Sequence, residues 1–166
     1  GDAKLDWLKR VRDSERLIGP FGSSAFQRSF DGVQVKLEQE AFNWTTLVSR
    51  PTQGGFEEKA GETMDTIGVL ATSLTLKPSA WLWHAAPRVS YLRYVDERNV
   101  SQRVDNVAPS APKVDIAINT YTAELPVSYK VGPGDADVLG WIAAQEGDWY
   151  ELDQRAFALA LEGGYQ

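Results

Sequence analysis

From residue 30 onward, apolar and polar side chains alternate in runs separated by turn residues. VQVKLE places Val33, Val35 and Leu37 on one side and Gln34, Lys36 and Glu38 on the other. FNWTTLVSRP sets Phe42, Trp44 and Val48 against Asn43, Thr45 and Ser49. Successive side chains of a strand point to opposite faces, so alternation of this kind predicts β-strands with one bulky apolar face each. Seven strands are predicted, over 30–39, 42–51, 65–77, 88–97, 115–125, 135–146 and 153–164. In the sixth, Leu139, Trp141 and Ala143 form the bulky side opposite Gly140, and in the seventh Phe157, Leu159 and Leu161 oppose Ala156, Ala158 and Ala160. The third and fifth strands carry no clean face. Residues 3–16 follow another rhythm: Leu5, Leu8 and Val11 recur at helical spacing and predict a short amphipathic helix, stopped by Gly19-Pro20.

Most of these strands are about 10–13 residues long, whereas ~9–11 suffice to cross a bilayer at a tilt and soluble strands run to ~5–6. The connections roughly alternate in length. The one around Glu40-Ala41 is tight, 52–64 is long and acidic, 78–87 is intermediate, 98–114 is long, and 126–134 and 147–152 are short. Short turns at one end and long loops at the other are the pattern of an up-and-down barrel. Trp and Tyr gather near strand ends, at Trp81, Trp83, Tyr129, Trp149 and Tyr150, as they do at a membrane–water interface.

Composition narrows the picture. The chain has 166 residues, 43% of them hydrophobic and 24% charged, enough for a folded domain. Mean hydropathy is −0.33, and no apolar run approaches the ~18 residues of a membrane helix, a limit that does not touch β-strands. There is no cysteine, which excludes disulfides and thiolate metal sites. A net charge of −6 without a basic patch argues against nucleic acid as a partner.

Candidate chemistry is sparse. His84 is the only histidine, and no nucleophile motif accompanies it. The acidic groups Glu57-Glu58-Glu62-Asp65 and Asp135-Asp137 lack EF-hand spacing and read as solvated loop charge. No catalytic residue, metal or cofactor is expected.

SERLIGP (14–20) followed by QRSFDGV (27–33) resembles the alginate export family of bacterial outer-membrane β-barrels, and GFE (55–57), SLTLK (73–77), VLGWIAAQEGDW (138–149) and ALALEGGYQ (158–166) extend the resemblance. It implies an all-β, antiparallel up-and-down transmembrane barrel in the outer membrane, with residues 1–18 as an N-terminal amphipathic segment and 19–166 as part of the barrel domain. The implied function is passive, porin-like movement of a hydrophilic solute, a polyuronate or another sugar-like molecule, without catalysis. The implied partners are the lipid bilayer, the solute and further barrel strands, since seven strands do not close a barrel of even number. The acidic balance speaks against a strongly basic lumen. Lys36 and Arg93 are the expected lumen-lining residues, with Gln34 and Glu38 beside Lys36 and Arg28 on the same parity. Arg93 is expected inward because a central arginine facing lipid costs about 2–4 kcal/mol, which would turn Leu92 and Tyr94 outward. Two alternatives carry other functions: a soluble, secreted β-sandwich that binds carbohydrate on its aromatics, and a glycan-cleaving enzyme using paired carboxylates.

Overall fold

The computed structural model describes residues 29–54, 58–78, 84–98, 115–150 and 152–165. Seven strands form one antiparallel sheet in chain order: β1 (Phe30–Glu38), β2 (Phe42–Pro51), β3 (Ile67–Leu76), β4 (Arg88–Asp96), β5 (Ile116–Val131), β6 (Gly134–Trp149) and β7 (Leu152–Tyr165). A single turn of 3-10 helix, Glu58–Gly61, lies between β2 and β3. Each strand pairs with its sequence neighbour, and the order does not return from β7 to β1, so the sheet is open. The helix expected over 3–16 lies outside the described residues.

All seven strands fall where alternation predicts them. The main difference is in β5 and β6, which extend to 16 residues each. The segment 126–134, expected as a short connection, is mostly strand. Pro126 has no N–H to give, but its carbonyl accepts from the Ala86 N–H (3.0 Å), beyond the point where β4 pairing ends at Arg88↔Glu124. The bridge Ala85↔Val127 continues the pairing past the end of β4, so Pro126 keeps the acceptor half of its pair with Ala86 and gives up only the donor half. Only Gly132-Pro133 turns the chain, with Gly132 at φ 61°, the positive value a two-residue hairpin requires at its first central position. The β6–β7 link shrinks likewise to residues 150–151, with Tyr150 at φ 57° and its ring edge-on to Trp149 at 5.8 Å.

Ladder partners share a face, so register sorts every side chain. Val33↔Val48, Leu37↔Trp44 and Trp44↔Leu74 define one face, which continues through Val89, Ala123, Ile142 and Leu159. Lys36↔Thr45, Thr45↔Ser73, Ser73↔Ser90 and Ser90↔Thr122 define the other.

Two readings of single strands are corrected here. Arg93, aligned with Leu70 and Asn119, belongs to the apolar face, and Leu92 and Tyr94 belong with Lys36. The inward assignment weighed one arginine in isolation, whereas β4 takes its parity from its neighbours. Leu139, Trp141 and Ala143 also lie on the Lys36 face, because β6 carries apolar residues on both sides: Val138, Ile142 and Ala144 stand opposite them. When both sides of a strand are apolar, alternation has no sign.

Candidate functional site: the sheltered polar face

Burial runs opposite to that of a water-soluble sheet. On the apolar face Phe157, Leu159 and Leu161 are 73%, 70% and 79% exposed, and Val33, Val48, Val89 and Leu125 are exposed as well. On the other face Ser49, Thr75, Thr120, Thr122, Glu124 and Ser128 are all buried. Aliphatic side chains share that shelter toward the long-connection end of the sheet, at Ile67, Val69, Ile116 and Ile118.

Polar side chains on the sheltered face form rows across the strands. One row reads Glu38, Asn43, Thr75, Arg88, Glu124 and Trp141, and the next reads Lys36, Thr45, Ser73, Ser90 and Thr122. Arg88 Nη1 lies 3.5 Å from Glu124 Oε1, with the side chains 18% and 1% exposed. At the edge strand, Lys36 Nζ meets Glu38 Oε1 at 2.8 Å in a solvated pair. Gln145 Nε2 donates to Thr120 Oγ1 (3.0 Å). A groove of about 150 Å³ runs over this region, where Arg88, Ser90 and Thr122 stand among apolar side chains that include Leu47, Ala71 and Leu92. The Ser90 and Thr122 hydroxyls are buried and take no hydrogen-bond partner among the described residues. The wall thus offers hydroxyls and charges held in pairs, a surface for weak, exchangeable hydrogen bonds.

At one end of this face the Asp96 carboxylate accepts from the Tyr94 hydroxyl (3.1 Å), the Arg98 backbone N–H (3.0 Å) and Arg98 Nη2 (2.6 Å). The hydrogen bond that the Arg98 guanidinium donates to Asp96 holds it above its ordinary pKa.

The apolar face has its own order. Tyr91 and Tyr121 lie 5.2 Å apart, and their hydroxyls donate to Asn119 Oδ1 (2.7 Å) and Glu146 Oε1 (3.2 Å). These acceptors belong to a polar row, Arg93, Asn119, Glu146 and Arg155. At the opposite limit Tyr129 and Tyr165 flank Ala136, and the Tyr165 hydroxyl donates to the Val131 carbonyl (3.1 Å). Between the limits the few polar groups satisfy one another: Trp44 Nε1 donates to Thr72 Oγ1 (3.0 Å), which is 2.8 Å from Thr46 Oγ1.

Of the residues expected to line a lumen, Lys36, Gln34 and Glu38 share the sheltered face with one another, on its exposed edge strand. Arg93 is on the opposite face, and Arg28 lies outside the described residues, as do Trp81 and Trp83. Sequence reasoning missed Arg88 and Glu124. They sit on β4 and β5, the one misassigned and the other left without a face, yet Glu124 continues the series Ile116, Ile118, Thr120, Thr122 at strand period. His84 is exposed at φ 60°. Among the described residues no three His, Cys, Asp or Glu side chains gather to hold a metal ion. Compared with family models, curated proteins and solved structures, the chain matches none.

Proposed function

We propose that this sheet is part of an outer-membrane β-barrel channel of the kind the alginate export resemblance implies, through which a hydrophilic, sugar-like solute diffuses passively. The observation that carries the reading is the inversion of polarity: bulky apolar side chains are exposed and polar ones are sheltered. In water, exposing such a face is unfavourable by roughly 25 cal/mol per Å² of apolar surface, and a face of this size calls for a covering. Lipid supplies one without a second protein layer.

Three further features support it. Strands of 9 to 16 residues are long enough to cross a bilayer. Tyr121 and Tyr129 bound the apolar band on β5 eight residues apart, about 27 Å along the strand and about 20 Å along the normal at a ~40° tilt. The band also drifts across the ladder rows. Its polar limit lies between Asp31 and Val33 on β1, but between Arg155 and Phe157 on β7, one row further along. Tilted strands cutting a flat slab produce this drift.

The sheltered face would then line the lumen. Charge there is paired, as Lys36–Glu38 and Arg88–Glu124, so it selects by field without gripping one solute. β1 and β7 run in the same direction, so antiparallel closure takes an odd number of further strands.

The test compares far-UV circular dichroism and size exclusion after refolding with and without detergent micelles. Strand signal confined to the detergent sample, with aggregation in buffer, is the expected result. A monodisperse monomer melting cooperatively in plain buffer would overturn it and favour a soluble carbohydrate-binding sheet.

A further inference from the structure

On the exposed face, beside the polar limit of the apolar band, β1 to β4 enclose a groove of about 490 Å³. Val33, Val48, Leu70 and Val95 contribute apolar walls, and Gly68 leaves its floor open, with nothing within 4 Å of where a Cβ would stand. Arg50 and Arg93 stand along it. The two arginines are not equivalent. Arg50 Nη1 is held by Asp65 Oδ1 at 2.9 Å, and Asp31 is its ladder partner. Arg93 is exposed and has no carboxylate partner among the described residues. Asp31 also lines the groove, but three strands from β4, so about 14 Å separates it from Arg93 at ~4.8 Å per strand. Asn119, the ladder partner of Arg93, has its Oδ1 engaged by the Tyr91 hydroxyl, which leaves the amide N–H groups as donors beside the guanidinium.

An apolar trough ending at a guanidinium and an amide matches an acyl chain ending at a phosphate. We propose that this groove binds a phosphorylated lipid of the surrounding leaflet, with the acyl chain between Val33, Val48, Leu70 and Val95 and the phosphate on Arg93 and Asn119. The inference rests on the membrane reading above. It also accounts for Arg93, whose charge on a lipid-directed face is tolerated only near the interface. The groove opens at the end of the sheet that carries the connections 52–66 and 97–115 and the tight link 150–151, whereas the opposite end is turned by 39–41, 77–87 and 132–133. Long loops are external in such barrels, so the leaflet is the outer one and its phosphorylated lipid is the glycolipid lipid A.

The experiment folds the complete barrel, this sheet together with its further strands, into phosphatidylcholine vesicles containing a small fraction of lipid A, phosphatidylglycerol or diacylglycerol. Insertion is scored first, by flotation and strand signal. The protein is then extracted in mild detergent, and retained lipid is counted by mass spectrometry. The expected result is selective retention of lipid A, reduced roughly tenfold in Arg93→Ala, as loss of one charge-assisted contact implies. Arg155→Ala, on β7 outside the groove, should retain lipid A as the parent does. Flotation with equal retention of all three lipids, or unchanged retention in Arg93→Ala, would overturn the lipid site alone. Failure to float would overturn the membrane reading and this inference with it.

Discussion

The two faces of the sheet are built on one backbone and share every hydrogen bond of the ladder, yet they follow opposite rules. On one, leucine, valine and phenylalanine project freely, and the polar atoms present are tied to one another, as in the Trp44–Thr72–Thr46 chain. On the other, threonine, serine and an arginine–glutamate pair are sheltered. Backbone pairing does not distinguish them; the exposure of their side chains does. A soluble sheet hides its apolar side and wets its polar side. This one does the reverse, which ties sequence alternation to an environment and not merely to a fold.

The sharpest way to break the comparison uses adjacent positions on β7. Leu159 points out from the apolar face, and Ala158 points to the other. If the apolar face meets lipid, Leu159→Arg should destabilise the protein in vesicles by about 2–4 kcal/mol, the cost of an arginine near the bilayer midplane. Ala158→Arg should cost little. Urea titration of folding in lipid vesicles measures both, and equal effects would mean that the faces share one medium.

A smaller effect is expected inside. Arg88→Ala leaves Glu124, at 1% exposure, without its guanidinium. Breaking a buried pair costs about 3–5 kcal/mol, and the partial exposure of Arg88 brings the expectation nearer 2 kcal/mol. Replacing both residues with methionine should recover most of that loss, because the penalty lies in burying a carboxylate away from its guanidinium and not in the missing attraction. The same titration reads both variants, and a double variant as unstable as the single one would point to packing of the arginine stem instead.

What the sequence made legible follows from these energetics. Alternation located all seven strands, because the turns between them carry strong punctuation. Strand ends were misjudged where a rule of thumb met an exception: proline commonly marks a loop, yet Pro126 still accepts from the Ala86 N–H inside a long strand, and only Gly132-Pro133 turns. Faces were legible for β1, β2 and β7, whose two sides differ strongly in bulk. They were not for β4 and β6, where Tyr91 stands opposite Leu92 and Ile142 opposite Leu139 and Trp141. Such strands acquire their sign from register, a long-range property. The pair Arg88–Glu124 was hidden for the same reason, since it forms only when two ambiguous strands align. The buried polar face has no local signature at all, because a strand displays the same period whichever side meets lipid.

The mildest test separates the two cations that the barrel expectation had grouped. Lys36 and Arg93 lie on opposite faces. If the sheltered face lines a lumen, Lys36→Glu places a second acidic group beside Glu38 in the path of the solute, and the cation-to-anion permeability ratio of the complete barrel should rise severalfold in single-channel recordings. Arg93→Glu should leave that ratio unchanged, because its charge faces lipid and is separated from the lumen by the thickness of the wall. Lys36 is solvated and already paired, so part of its field is cancelled before the substitution, which keeps the shift modest. Salt sharpens the contrast: raising ionic strength should compress the Lys36→Glu effect, since the charge lies in water, and should have nothing to compress for Arg93→Glu. A selectivity shift from Arg93→Glu as large as that from Lys36→Glu would place both side chains in one aqueous path, which the ladder register forbids within a single wall.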